Sequence, residues 1–239
     1  MIVSRVVLYD MKKIFSNWFL YMSLILSFLP AMGIAYAIKN LDGPFTLEHV
    51  TSFYALFGTI MSVVVAMRLY TDDLSNETIT LVINNKKNRV KYLLSKVFGF
   101  ALVGLVFGVL CALTLLFVKE YLAVLPESSL YLKTIVNYTL FTTLYTILFF
   151  FISIFYRNVA AIFVIAVLSI SFLPNLFGTL LDSGSLPESL NTVIESLPIY
   201  YLPILIGSHN LDGVQYLTVA VFLLVFFLGS FFAIRSRDY

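Results

Sequence analysis

The side chains in this chain that could do chemistry are few and scattered. There are two histidines, His49 and His209, and one cysteine, Cys111. No H-E-x-x-H pattern joins the histidines, so a zinc-protease site has no support. A single cysteine cannot form an internal disulfide or a multi-cysteine metal site, and Cys111 lies inside an apolar run. The G-x-S-x-G nucleophile elbow and the G-x-x-x-x-G-K-S/T phosphate loop are both missing. The charged side chains are more informative. The stretch Tyr70–Lys96, "YTDDLSNETITLVINNKKNRVKYLLSK", holds five of the fifteen Lys and Arg and three of the thirteen acids.

The surroundings of that stretch are apolar. The 239 residues are 60% hydrophobic and 12% charged, a balance that points to a bilayer as solvent. A net charge of +2 offers no electrostatic footprint for nucleic acid. A helix needs about 20 mostly apolar residues to cross the hydrocarbon core. Six stretches meet that length: 18–38, 51–69, 97–118, 138–156, 159–181 and 214–234. Helices also satisfy their own backbone hydrogen bonds, which lipid cannot do. The fold class expected is therefore an all-α polytopic membrane protein. Lys12, Lys13 and the Ala35-Tyr36-Ala37 pattern invite a signal-peptide reading, but the first apolar run is too long and five more follow.

The positive-inside rule orients the spans. With the N-terminus cytoplasmic, twelve Lys and Arg lie inside and only Lys39, Lys119 and Lys133 lie outside. Both termini and the Tyr70–Lys96 stretch are then cytoplasmic, in a multi-pass protein of the cell membrane. Almost no ionisable group sits inside a span, which disfavours a proton-coupled transporter and an intramembrane hydrolase. Small and hydroxyl residues do occur there. Gly104-x-x-x-Gly108 continues to Ala112, and Thr139, Thr142 or Thr143, Thr146 and Ser153 share one helical face. Close helix packing explains both better than a substrate path does. Pro174-Asn175 with Gly178 marks a kink that either lines a cavity or is a static bend, as do Pro30 and Gly33.

Residues 1–17 read as an amphipathic interfacial helix rather than a simple extension of the first span, because Asp10 and the lysines fit poorly in a continuous span. Val3, Val7, Met11, Ile14 and Trp18 form a stripe, with Arg5, Lys12 and Lys13 off it. Residues 187–207 are too apolar for a solvated loop, too short to cross, and broken by Pro198 and Pro203. They read as a re-entrant helical hairpin on the outer side, or as a loop whose Tyr200 and Tyr201 rest in the aromatic belt. In the Tyr70–Lys96 stretch, residues 72–85 begin with Asp72, Asp73, Ser75 and Glu77, which suit a helix start, and continue with apolar Ile79, Leu81, Val82 and Ile83. Apolar groups exposed on that side need a partner to cover them. Residues 86–96 follow as a basic segment suited to anionic headgroups.

These features together resemble the membrane permease of ABC-2 type ABC transporters. The family pattern is an acid, a polar stretch ending in Thr, an apolar stretch, then R-x-x-x-L-x-x-K; here Asp73, Thr78, Leu81, Arg89, Leu93 or Leu94, and Lys96 match it. Glu77 stands where the family often has glycine. The resemblance implies an exporter built from two permease copies, identical or not, and two cytoplasmic ABC ATPase subunits. ATP and Mg would be bound by the ATPase and no cofactor by this chain. It implies a coupling helix at 72–85, with Glu77, Ile79, Thr80, Val82 and Ile83 contacting the ATPase and Arg89 and Lys96 as membrane-interface anchors. It places Met32, Phe57, Met61, Phe172, Asn175 and Phe177 toward a substrate path for a hydrophobic or amphipathic cargo: a peptide, a drug-like molecule or a lipid-linked one. The alternative is a non-transporting scaffold or sensor subunit that binds a soluble partner through the same loop.

Overall fold

The computed structural model describes residues 3–41, 44–76, 86–122, 128–184, 186–208 and 211–236. Among them there are ten helices and no strand. They are α1 (Val3–Phe15), α2 (Trp18–Asn40), α3 (Leu47–Ser75), α4 (Lys86–Leu122) and α5 (Ser128–Phe155), then α6 (Val159–Ser171), α7 (Leu173–Asp182), α8 (Glu188–Ser196), α9 (Pro198–Leu205) and α10 (Gly213–Ser236). Counting α6–α7 as one, six of these rods are long and apolar enough to cross a membrane. The chain is thus all-helical and polytopic in character.

The helices run beyond the apolar stretches that announce them. Apolar composition marks only the part matched to hydrocarbon, whereas the backbone hydrogen-bond ladder continues through polar residues. The largest extension is α4, whose 37 residues give about 55 Å against a hydrocarbon core of about 30 Å. The extension of α3 corrects one expectation. Asp72, Asp73 and Ser75 do not start a new helix; they are the last turn of α3.

Helices α3, α4 and α5 form the centre. Their apolar windows are 61%, 50% and 67% buried, against 28%, 22% and 17% for α2, α6–α7 and α10. Small residues bring α4 and α5 together. A Cβ on Gly104 would lie 2.8 Å from the Thr139 Cα, and one on Gly108 2.8 Å from the Ile135 Cα. The hydroxyl face of α5 turns inward, and Thr142 Oγ1 donates to Ser62 Oγ of α3 at 2.9 Å. Tyr54 of α3 donates its hydroxyl to the Phe107 carbonyl of α4 at 2.9 Å. Cys111 is buried among these elements and inaccessible.

The break at Pro174 is real and divides α6 from α7 at Phe172. Asn175 Nδ2 donates to the Ser171 carbonyl at 2.7 Å, satisfying an acceptor at the break. By contrast α2 passes through Pro30 without interruption. The apolar segment before α10 forms two short helices, α8 and α9. Tyr201 and Leu202 of α9 are buried, Thr51 of α3 donates to the Gly207 carbonyl at 2.6 Å, and Tyr145 of α5 donates to the Ile199 carbonyl at 3.0 Å. His49 is structural: its Nδ1 accepts the Thr46 backbone N–H at 3.0 Å, at the N-terminus of α3. His209 lies outside the described residues.

The α4–α5 crossing is testable. Gly104→Ala should lower stability by about 1–3 kcal/mol, because the added methyl meets backbone rather than a movable side chain. Gly178→Ala, with open space around it, should not lower it. Thermal unfolding midpoints in detergent check the pair; equal midpoints would contradict the crossing.

Candidate functional site

The most unusual feature is a fully buried lysine. Lys96, on α4, has a side chain that is 1% exposed. Its Nζ lies 2.9 Å from Asp10 Oδ2 of α1, 2.9 Å from Asp73 Oδ2 of α3 and 2.7 Å from the Leu69 carbonyl of α3. An ammonium has three N–H donors, and here three acceptors meet them. The Tyr92 ring lies 5.0 Å from the same Nζ, and the Tyr92 hydroxyl donates to Asp73 Oδ2 at 2.8 Å. At the edge of the cluster, Lys13 of α1 pairs with Asp72 at 2.8 Å, in a more exposed setting.

Each element contributes for a local reason. The stripe Val3, Val7, Met11 and Ile14 turns α1 inward, which carries Asp10 with it; Asp10 and Ile14 are its buried residues. Trp18, expected on that stripe, instead opens α2 and is 71% exposed. Asp72 and Asp73 sit at the C-terminal end of α3, where the helix dipole favours cations and α3 offers none of its own. Lys13 and Lys96 supply the missing positive charge from two other helices. One turn further into the bundle, Tyr70 packs edge to face on both Phe100 and Phe150. Burial pushes the Asp10 carboxyl above the ordinary 3.8, outweighing the attraction of Lys96, and Asp73 pushes the same way. The folded chain therefore holds that proton more tightly than the unfolded one. Asp10 by itself makes the fold less stable as pH rises from 3.8 through its raised value.

The same end of α4 clamps α10. Arg89 Nη1 donates to the Ile234 carbonyl at 3.0 Å and the Arg235 carbonyl at 3.4 Å, satisfying acceptors that a helix end leaves open. The two expected headgroup anchors thus have other partners. Lys96 is a buried ion-pair residue, since two carboxylates compete successfully for its ammonium, and Arg89 ties α4 to the end of α10. The expected contact residues Glu77, Ile79, Thr80, Val82 and Ile83 lie outside the described residues. Asp73, in the last turn of α3, lies four residues before Glu77, and α4 begins at Lys86.

A cavity of about 330 Å³ lies toward the other end of the bundle, between α3, the α6–α7 break and α9. Phe57 and Asn175 line it, together with Ser52, Thr59, Ser171 and Pro174 among others. The remaining expected path residues do not. Met32 and Met61 are partly buried against the core, Phe172 is 57% exposed, and Phe177 meets the Tyr200 ring edge to face at 6.4 Å. Among the described residues no cluster of His, Cys, Asp or Glu could hold a metal ion.

No protein-family model matches the chain, and no curated protein matches it.

The ion cluster sets an order of costs. Lys96→Met strands two carboxylates and should destabilise by about 3–5 kcal/mol. Asp10→Asn leaves Lys96 with Asp73 and the Leu69 carbonyl and should cost less. The double variant should recover part of the loss. Unfolding midpoints of the four proteins at neutral pH check this; a Lys96→Met protein that melts like the parent would contradict it.

Proposed function

We propose that this chain is the permease subunit of an ATP-driven ABC-2 type exporter, working with a separate cytoplasmic ATPase and a second permease copy. The observation that carries the reading is the Lys96 cluster. It fixes both flanks of the 77–85 segment, through Asp73 on one side and α4 on the other, to the amino-terminal helix. A segment that receives force from a partner needs such a rigid mount, because a loose one would yield instead of moving the spans. The family pattern spans this same region, from Asp73 to Lys96.

In this reading residues 72–85 form the coupling region. Asp72–Ser75 continue span two, and Glu77, Ile79, Thr80, Val82 and Ile83 meet the ATPase. Both termini are cytoplasmic, following the distribution of Lys and Arg. Helix α1 lies at the cytoplasmic interface. Its exposed Leu8, Tyr9 and Phe15 face lipid while its inner stripe rests on the bundle. Helices α8 and α9 re-enter from the outside. The contacts of α9 with Tyr145 and Gln215, and of the turn after it with Thr51, support this, since turns at that depth need protein partners. The cavity beside Phe57 and Asn175 belongs to the path of a hydrophobic or amphipathic cargo. ATP and Mg act on the partner, and this chain supplies the path and the lever.

The test uses the full chain co-expressed with its partner ATPase. The double variant Glu77→Lys, Ile79→Asp should insert normally but lose co-purification of the ATPase and lose transport. Retention of both would show that the segment is not the coupling element. Intact ATPase binding by the parent protein, with no transport and no change in ATP hydrolysis for any amphiphile, would favour a scaffold or sensor subunit instead.

A further inference from the structure

Arg68, on α3, is a charged residue that the ion cluster does not use. Among the described residues it makes no hydrogen bond and no ion pair; its guanidinium lies over the Phe19 ring, 4.8 Å from the centroid. It opens onto a groove of about 710 Å³ between α2, α3 and α6, whose other walls are Phe19, Val64, Phe163, Val164, Val167 and Leu168. Every wall except Arg68 is apolar. A half-buried guanidinium whose donors meet no acceptor among the described residues, set at the mouth of an apolar groove, calls for an anionic acceptor attached to an apolar body.

We infer that this groove binds one anionic phospholipid, with Arg68 holding the phosphate and the α3–α6 walls receiving an acyl chain. The depth is right for it. Arg68 precedes Leu69, whose carbonyl accepts from Lys96, so it lies level with the charged end of the bundle. A small pocket next to it is shared with Lys13 and Asn17 at the corner between α1 and α2. Trp18 at the same corner is strongly exposed, as befits an aromatic side chain at a membrane interface. Lys13 is already paired with Asp72, so the charge that remains to be met is that of Arg68. A planar guanidinium matches a phosphate with two parallel hydrogen bonds. A second copy closing over the groove on a two-fold axis is the poorer occupant. It would bring a second unpaired Arg68 to the same patch, because such an interface pairs like surface with like.

The inference stands apart from the exporter reading, since it concerns binding and not transport. Native mass spectrometry of the purified full chain tests it. The chain is loaded with equal phosphatidylglycerol and phosphatidylcholine. The parent protein should retain one phosphatidylglycerol in preference by about tenfold, the ratio expected of one charge-assisted contact. Arg68→Gln should abolish the preference, Arg68→Lys should keep only the part that needs charge without the paired geometry, and Lys119→Gln, at the far end of α4, should leave it unchanged. Equal retention of the two lipids by the parent protein overturns the proposal, and that comparison needs no variant to fold. So does an unchanged preference in Arg68→Gln. Loss of the preference on adding millimolar inorganic phosphate would assign the site to a soluble anion instead. A dimer that excludes both lipids would assign the groove to a second copy.

Discussion

The structure depends on meeting the charge of one ammonium group without water. Lys96 is sealed in the bundle, and removing a charge of that size from water is costly by several kcal/mol even after the protein relaxes. Its three N–H groups can be satisfied only if α1 delivers Asp10 and α3 delivers both Asp73 and the Leu69 carbonyl. Helix α1 therefore cannot leave without stranding a charge, and the end of α3 cannot unwind without stranding another. The requirement works in both directions. Two acids at the C-terminal end of α3 oppose its dipole, and the cations of α1 and α4 are what make that helix end tolerable.

Helix α3 connects the two places where function would be expected. Its last turns enter the Lys96 cluster, and its residues Ser52 to Ile60 line the cavity beside the α6–α7 break. The hydroxyls and rings of Tyr54, Ser62 and Tyr70 fix it against α4 and α5 between those ends. A displacement imposed on the 77–85 segment would thus travel along one continuous rod to the cavity wall. The Pro174 break in the facing helix gives that wall a point at which to adjust. This is the mechanical content of the proposed permease role, and it needs no nucleotide site in the chain.

Much of this was legible in the sequence, for identifiable reasons. Stretches of about 20 apolar residues announce membrane-length helices whatever their neighbours are. Pro174 announces a break because it has no N–H to give, and the small residues of α4 announce a close crossing because their size permits it. Of the six residues that the resemblance placed toward a path, Phe57 and Asn175 line the cavity and the other four do not. The Lys96 cluster was not legible. Lys96 and Asp10 are 86 residues apart, and no local pattern pairs them. A lysine at the edge of an apolar run looks like a headgroup anchor until its partners are known. Asp72 and Asp73 misled in the same way. Acids usually mark a helix start, and only distant cations make them acceptable at an end. The one local hint was Asp10, an acid set against the apolar stripe of α1.

If Lys96 is the pivot, α1 and the start of α4 move as one body. Pulsed electron–electron resonance between spin labels at the exposed positions Lys12 and Lys91 can follow this, in the full chain assembled with the proposed partner ATPase. A single narrow distance distribution is expected, the same with and without ATP and broadened in Lys96→Met. A distribution that shifts by several ångströms on ATP binding in the parent protein, or that is untouched by Lys96→Met, would contradict it.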